Sequence, residues 1–167
     1  MALSRRLLGC GIKAMPDEIV TTHGATEALI LALRATTQKG DLVAVESPTY
    51  FGILNLIRDQ GLRAFEIPVC QATGLSIEAL ETALAKHPIK ACVVQPNFQN
   101  PVGCVMPSKN KKRLAKLSNA HEFTIIEDDV YGDLGHSGER PSSIGLHGGD
   151  VIHCGSTSKT VAPGLRV

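Results

Sequence analysis

The chain has 167 residues, 43% apolar and 20% charged, the length and balance of a single globular domain with a real core. Seventeen basic against sixteen acidic residues leave a formal charge of +1 with no run of five like charges, which excludes a surface built to neutralise nucleic-acid phosphates. No run of ~18 apolar residues spans a membrane, and the first residues lack the long apolar core of a signal peptide. Five cysteines without a CxxC pair fit neither a disulfide framework nor a zinc site and point to a reducing, cytoplasmic setting.

In chain order, the pattern predicts a short strand over 17–22, a helix over 26–36, a strand over 42–46 and a helix over 52–60 closed by Gly61. An extended run follows over 63–69, then a helix over 76–86 capped by Ser76. The second half reads as a strand over 91–95, a helix over 108–121, and strands over 123–127 and 151–154. Continuous apolar runs such as Ala91-Cys-Val-Val94 suit strands covered on both faces. The expected fold is therefore α/β: a three-layer α/β/α sandwich with a mainly parallel sheet, residues 1–167 forming one domain. Such sheets bind ligands beyond the carboxyl ends of their strands, so chemistry is sought in those loops.

The loops carry an unusual set of residues. His23-Gly24-Ala25-Thr26 opens a helix with free amides, a ready anion site. Tyr50 follows the second predicted strand, where it can stack on a flat ligand. Gln95-Pro-Asn97-Phe-Gln-Asn100-Pro101 demands a rigid turn whose side-chain amides can donate to an oxygen. Glu127-Asp128-Asp129 ends an apolar strand, where alternation sends one carboxylate inward while its neighbours point away. Ser156-Thr-Ser158-Lys159 with Arg166 suits an amine held beside an oxyanion, and such a lysine can attack a carbonyl. Lys109, Lys111, Lys112 and Arg113 read as the wet side of a helix whose Leu114 and Leu117 face the core. The six histidines show no pair at ligand spacing, so no metal site is assigned.

Taken together, Gly24-Ala25-Thr26, Pro48-Thr-Tyr50, Asn100-Pro101-Val-Gly103, Asp129-Val-Tyr131 and Ser156-Thr-Ser-Lys159 with Arg166 resemble the fold-type I pyridoxal-phosphate enzymes, aspartate-aminotransferase group. Glu46-Ser-Pro-Thr-Tyr-Phe-Gly52, Asn97-Phe-Gln-Asn-Pro101 and Glu127-Asp-Asp-Val-Tyr-Gly132 are most similar to the aminotransferase-like domain of MocR-type (GntR-family) regulators. The resemblance implies pyridoxal 5'-phosphate as cofactor and amino-group transfer between an amino acid and a 2-oxo acid. Lys159 would form a Schiff base with the cofactor and move the proton at the substrate α carbon. Asp129 would pair with the pyridine nitrogen, Asn100 and Tyr131 with the phenolic oxygen, and Tyr50 would stack on the ring. Gly24, Ala25, Thr26, Ser156, Ser158 and Arg166 would hold the phosphate. One departure stands out: many relatives place the tyrosine one residue further on, where Gly132 stands here.

The resemblance also implies a homodimer and longer relatives, so that the small domain, the arginine for the substrate carboxylate and any winged-helix DNA reader lie outside this chain. On that reading the 167 residues are a partial cofactor-binding large domain. Two other readings compete: a non-catalytic domain that senses cofactor and effector in a MocR-type regulator, and an inactive truncated fragment. Ser156-Thr-Ser-Lys159 also fits the S-x-x-K of serine acyl-enzymes, but neither Ser-Asp-Asn nor Lys-Thr-Gly follows it.

Overall fold

A computed structural model describes residues 2–136 and 138–165. The helices are α1 (Ala2–Leu8), α2 (Ala25–Thr36), α3 (Phe51–Asp59), α4 (Ile77–Leu84) and α5 (Ser108–His121). The strands are β1 (Leu42–Ser47), β2 (Arg63–Cys70), β3 (Gly74–Leu75), β4 (Ile89–Val94), β5 (Thr124–Asp128) and β6 (Val151–Cys154). They form one six-stranded sheet in the order β3-β2-β1-β4-β5-β6. Every pairing is parallel except β2 with the two-residue β3.

Alternation along each strand feeds two separate cores, which makes the three expected layers. Ala44, Cys92, Val94 and Ile125 pack against Leu80 and Leu84 of α4 and Leu114 of α5. Val43, Val45, Ala91, Val93 and Ile126 pack against Leu29 and Leu33 of α2 and Ile53 and Ile57 of α3. The Ser76 hydroxyl caps α4 by accepting from the Ala79 amide at 3.2 Å, and Gly61, at φ 69°, turns the chain after α3 into the left-handed region that glycine tolerates.

Three local expectations change. Residues 17–22 form no strand: Pro16 opens a 3-10 turn at Pro16–Glu18, Ile19 is extended, and 19–22 join no ladder. Proline lacks the N–H that a strand start would donate, and a β-rich run becomes a strand only where a neighbour pairs with it. Helix α1, which the pattern did not predict, has no buried residue. It is tied to the rest of the fold through its own Arg6, which donates to Asp133, to the Ser156 carbonyl and to the Thr160 hydroxyl, the latter two at 3.0 Å. Lys111, expected on the wet face of α5, is only 2% exposed. Its ammonium donates to Asn97 Oδ1 at 2.7 Å and to the Ser142 carbonyl at 2.6 Å, and burial pulls its pKa down. A long side chain can carry its charge across a packed layer when acceptors wait on the far side.

Candidate functional site

The loops after β1, β4, β5 and β6 meet the amino end of α2 around a cleft of about 280 Å³. It is lined by Gly24, Ala25, Thr26, Tyr50, Asn100, Tyr131, Ser156, Ser158 and Lys159, so the structure brings nine of the expected residues to one place. Gly24 has φ 88°, a conformation natural to glycine, and immediately precedes α2. The first intrahelical bond is Ala28 N–H to the Gly24 carbonyl, which leaves the preceding amides of α2 at the cleft with the positive end of the helix dipole. Beyond β6 the chain turns tightly, with the Thr157 carbonyl accepting from Thr160, Val161 and Ala162, and the Ser156 hydroxyl accepts from the Ser158 amide at 3.1 Å. Lys159 is exposed on this turn. Tyr50 stands half out of the surface over Gly52, where an added Cβ would lie 2.7 Å from the ring Cζ. Arg166 lies outside the described residues.

Asp129 does not line this cleft; Asp128 does. All three acidic residues at the end of β5 are buried, and the pleat separates them. Asp128 is in phase with Ile126, which packs in the α2 core, so its carboxyl faces the amino end of that helix. Asp129 is turned toward the other side, where it accepts from Asn97 Nδ2 at 2.9 Å and from Arg140 at 2.6 Å. Glu127 accepts from the Ser143 hydroxyl and the Ile144 amide. The structure thus places Asp128 on the cleft wall, and not Asp129 as the sequence reading expected.

Asp128 Oδ2 accepts from Gln95 Nε2 at 2.7 Å, while Oδ1 is buried with no hydrogen-bond partner. Burial pushes its carboxyl up to about 6, against the Gln95 donor. Gln95, also on the cleft wall, was passed over as a site residue in the sequence; the available signal was a polar amide directly after a fully apolar strand. Behind the cleft, Cys10, Asp129 and His153 bring possible metal donors within 4.8 Å of one another. Arg140 already supplies the positive charge there and Asn97 takes the second Asp129 oxygen, so this cluster is an ion-pair core.

A family model described as "Aminotransferase class I and II" matches residues 3–167. The chain belongs to that aminotransferase family. It is 43% identical to "Uncharacterized HTH-type transcriptional regulator YjiR" of Escherichia coli (strain K12), over 99% of this chain and 36% of that protein. The Pyrococcus horikoshii kynurenine aminotransferase, solved in complex with PMP, superposes with a TM-score of 0.87 at 33% identity, covering 99% of this chain and 44% of that one. LysN, the alpha-aminoadipate aminotransferase of Thermus thermophilus complexed with N-(5'-phosphopyridoxyl)-L-leucine, gives 0.85 at 30% identity, over 98% and 42%. The chain thus spans 36–44% of the length of these relatives. Proteins named as enzymes and as a transcriptional regulator thus both stand among the chain's relatives, and the fold is shared with the two solved enzymes.

Proposed function

We propose that the cleft binds pyridoxal 5'-phosphate and that the domain serves amino-group transfer between an amino acid and a 2-oxo acid. The observation that carries this reading is the buried Asp128 carboxyl with its unpartnered Oδ1, in the one cleft that also collects Lys159 and the amino end of α2. A buried acceptor without a partner is costly, and a protonated pyridine nitrogen would satisfy it. When bound, this cofactor supplies an aldehyde that takes up an amine and a ring that accepts the electron pair released at the substrate α carbon.

The chain's residues divide the work as follows. Gly24, Ala25 and Thr26, with Ser156 and Ser158, would hold the phosphate, because amides and hydroxyls there donate without bringing a competing anion. Asp128 would keep the ring nitrogen protonated, since a carboxylate in a poorly solvated site strengthens the neighbouring positive charge. Asn100 and Tyr131 would donate to the phenolic oxygen, and Tyr50 would cover one ring face. Lys159, on its exposed turn, would give its amine to the cofactor and then carry a proton to and from the substrate α carbon. Arg166 would join the phosphate contacts, and the substrate carboxylate would be gripped by groups outside this chain. The 167 residues would form one domain, equivalent to the cofactor-binding part of the longer relatives.

The similarity to the Escherichia coli regulator supports a second reading, in which the same cleft senses cofactor and effector without turnover. Exposed Met15, Val20, Phe51, Val161 and Leu165 support a homodimer, and free thiols at all five cysteines support a reducing, cytoplasmic compartment. Among the described residues no helix is long and apolar enough to cross a membrane. The deciding experiment is a visible absorbance spectrum of the purified chain with pyridoxal 5'-phosphate. Borohydride should fix the cofactor covalently to wild type, and Lys159→Ala should abolish that while retaining weaker binding. Fixation that survives Lys159→Ala would refute the assignment. Assays of amino-group transfer by the cofactor-loaded protein then separate enzyme from sensor.

A further inference from the structure

Gln95 follows the last residue of β4, is only 3% exposed, and has its backbone N–H and both side-chain polar atoms engaged. Its backbone N–H donates to Glu46 Oε2 at 2.9 Å, its Nε2 donates to Asp128 Oδ2 at 2.7 Å, and its Oε1 accepts from the Asn100 amide at 3.0 Å. The last contact decides which way the side-chain amide points. A backbone N–H only donates, so the atom facing Asn100 must be the carbonyl oxygen; the NH2 then faces Asp128, and an NH2 only donates. Asp128 Oδ2 is thereby held as an acceptor, which favours Oδ1, the atom without a partner, as the seat of a proton that Asp128 takes up.

We infer that Gln95 is a positioning residue: it turns the Asp128 carboxyl so that Oδ1 alone exchanges a proton with the ring nitrogen of a bound cofactor, and it ties that carboxyl to the backbone of Asn100. The inference rests on the cofactor reading above. One planar amide thus links the group expected at the pyridine nitrogen to the backbone of the residue expected at the phenolic oxygen, so a shift of one is passed to the other. The remaining ionisable groups around Asp128 are Glu46 from β1, Glu127 of its own strand and Asp129 just after it, His153 and Cys154 from β6, and Tyr50, Tyr131 and Lys159 in the cleft. Among the influences that favour its charged form, the Gln95 donor ranks first.

The test needs no bound cofactor at its first stage. Carboxyl-carbon NMR follows the titration of Asp128 in the 167-residue chain, the resonance being assigned by its loss in Asp128→Asn. Wild type should titrate near 6. Gln95→Met, which keeps the length but not the donor, should titrate about one unit higher or more. Gln95→Glu keeps the acceptor for Asn100 and should make the pair titrate in two coupled steps, which keeps the test alive if the methionine variant does not fold. Asp128 titrating as in wild type in a folded variant overturns the inference. At the second stage, the pH at which bound pyridoxal 5'-phosphate changes its absorbance should move with Asp128 in the variants. A wild-type chain that takes up no cofactor refutes the functional reading, whereas an unmoved transition in a cofactor-loaded variant refutes the role of Gln95 alone.

Discussion

Glu46, the next-to-last residue of β1, is 1% exposed, and replacing it by glutamine should stabilise the protein in a pH-dependent way. Oε2 accepts from the Gln95 amide and, weakly at 3.5 Å, from Gln99, while Oε1 has no partner. Burial with so little compensation pushes the carboxyl from 4.5 up to about 8. The folded chain therefore binds this proton more tightly than the unfolded chain does. Its stability is full below pH 4.5 and declines as the pH climbs toward 8. At about 1.4 kcal/mol per unit, roughly 3 kcal/mol is lost between pH 4.5 and 7, and about 5 kcal/mol by pH 8. Glu46→Gln keeps the shape and an acceptor for Gln95, and replaces a group that must shed a proton by one that never does. Urea unfolding followed by circular dichroism should find the variant close to wild type at pH 5 and several kcal/mol more stable at pH 8. Asp128 also loses stability on going up to about 6, but it does so in both chains and cancels in the difference. A gap between variant and wild type that is the same at pH 5 and pH 8 would show that Glu46 keeps its charge when buried, and the reasoning fails.

Further outcomes follow from the same contacts. Arg140→Leu leaves Asp129, with a fully buried side chain, without its cation and should cost about 3–5 kcal/mol in urea unfolding; adding Asp129→Asn should recover much of the loss, and a single-variant cost below ~1 kcal/mol would refute the ion-pair core. Gly52→Ala should favour α3 by up to ~1 kcal/mol through helix propensity while its Cβ displaces the Tyr50 ring, 2.9 Å from the hydroxyl oxygen. Thermal melts should therefore hold or rise while titrated pyridoxal 5'-phosphate affinity falls several-fold; unchanged affinity would count against Tyr50 as the ring cover.

Most of the secondary structure was open to reading because each element announces itself locally. The period of apolar residues marks α2 and α5, the Ser76 cap starts α4, and unbroken apolar runs mark β4 and β5 as strands covered on both faces. With strands and helices alternating, parallel order and three layers follow from the handedness and burial demands of that connection, and so does the edge where loops gather. The residue types of the site were legible for the same reason, since small residues, amides, acids and a lysine after successive strands are costly there unless something uses them.

What the chain order left undecided is direction. Glu127, Asp128 and Asp129 are chemically near-equivalent neighbours, and only their phase against Ile126 and α2 sends Asp128 to the cleft and Asp129 to Arg140. Lys111 looks like its exposed neighbours until α5 is laid on the sheet and Asn97 and Ser142 come within reach of its amine. Residues 17–22 have strand-forming side chains, yet a strand exists only with a partner, and pairing is a property of the assembled sheet. Gln95 owes its orientation to an amide five residues on and a carboxylate on the next strand. Local propensity depends on a few neighbours in the chain, so the sequence alone determines the elements and their order. Hydrogen-bond partners, burial and the side of a sheet depend on contacts between residues distant in the chain, and these only the tertiary structure decides.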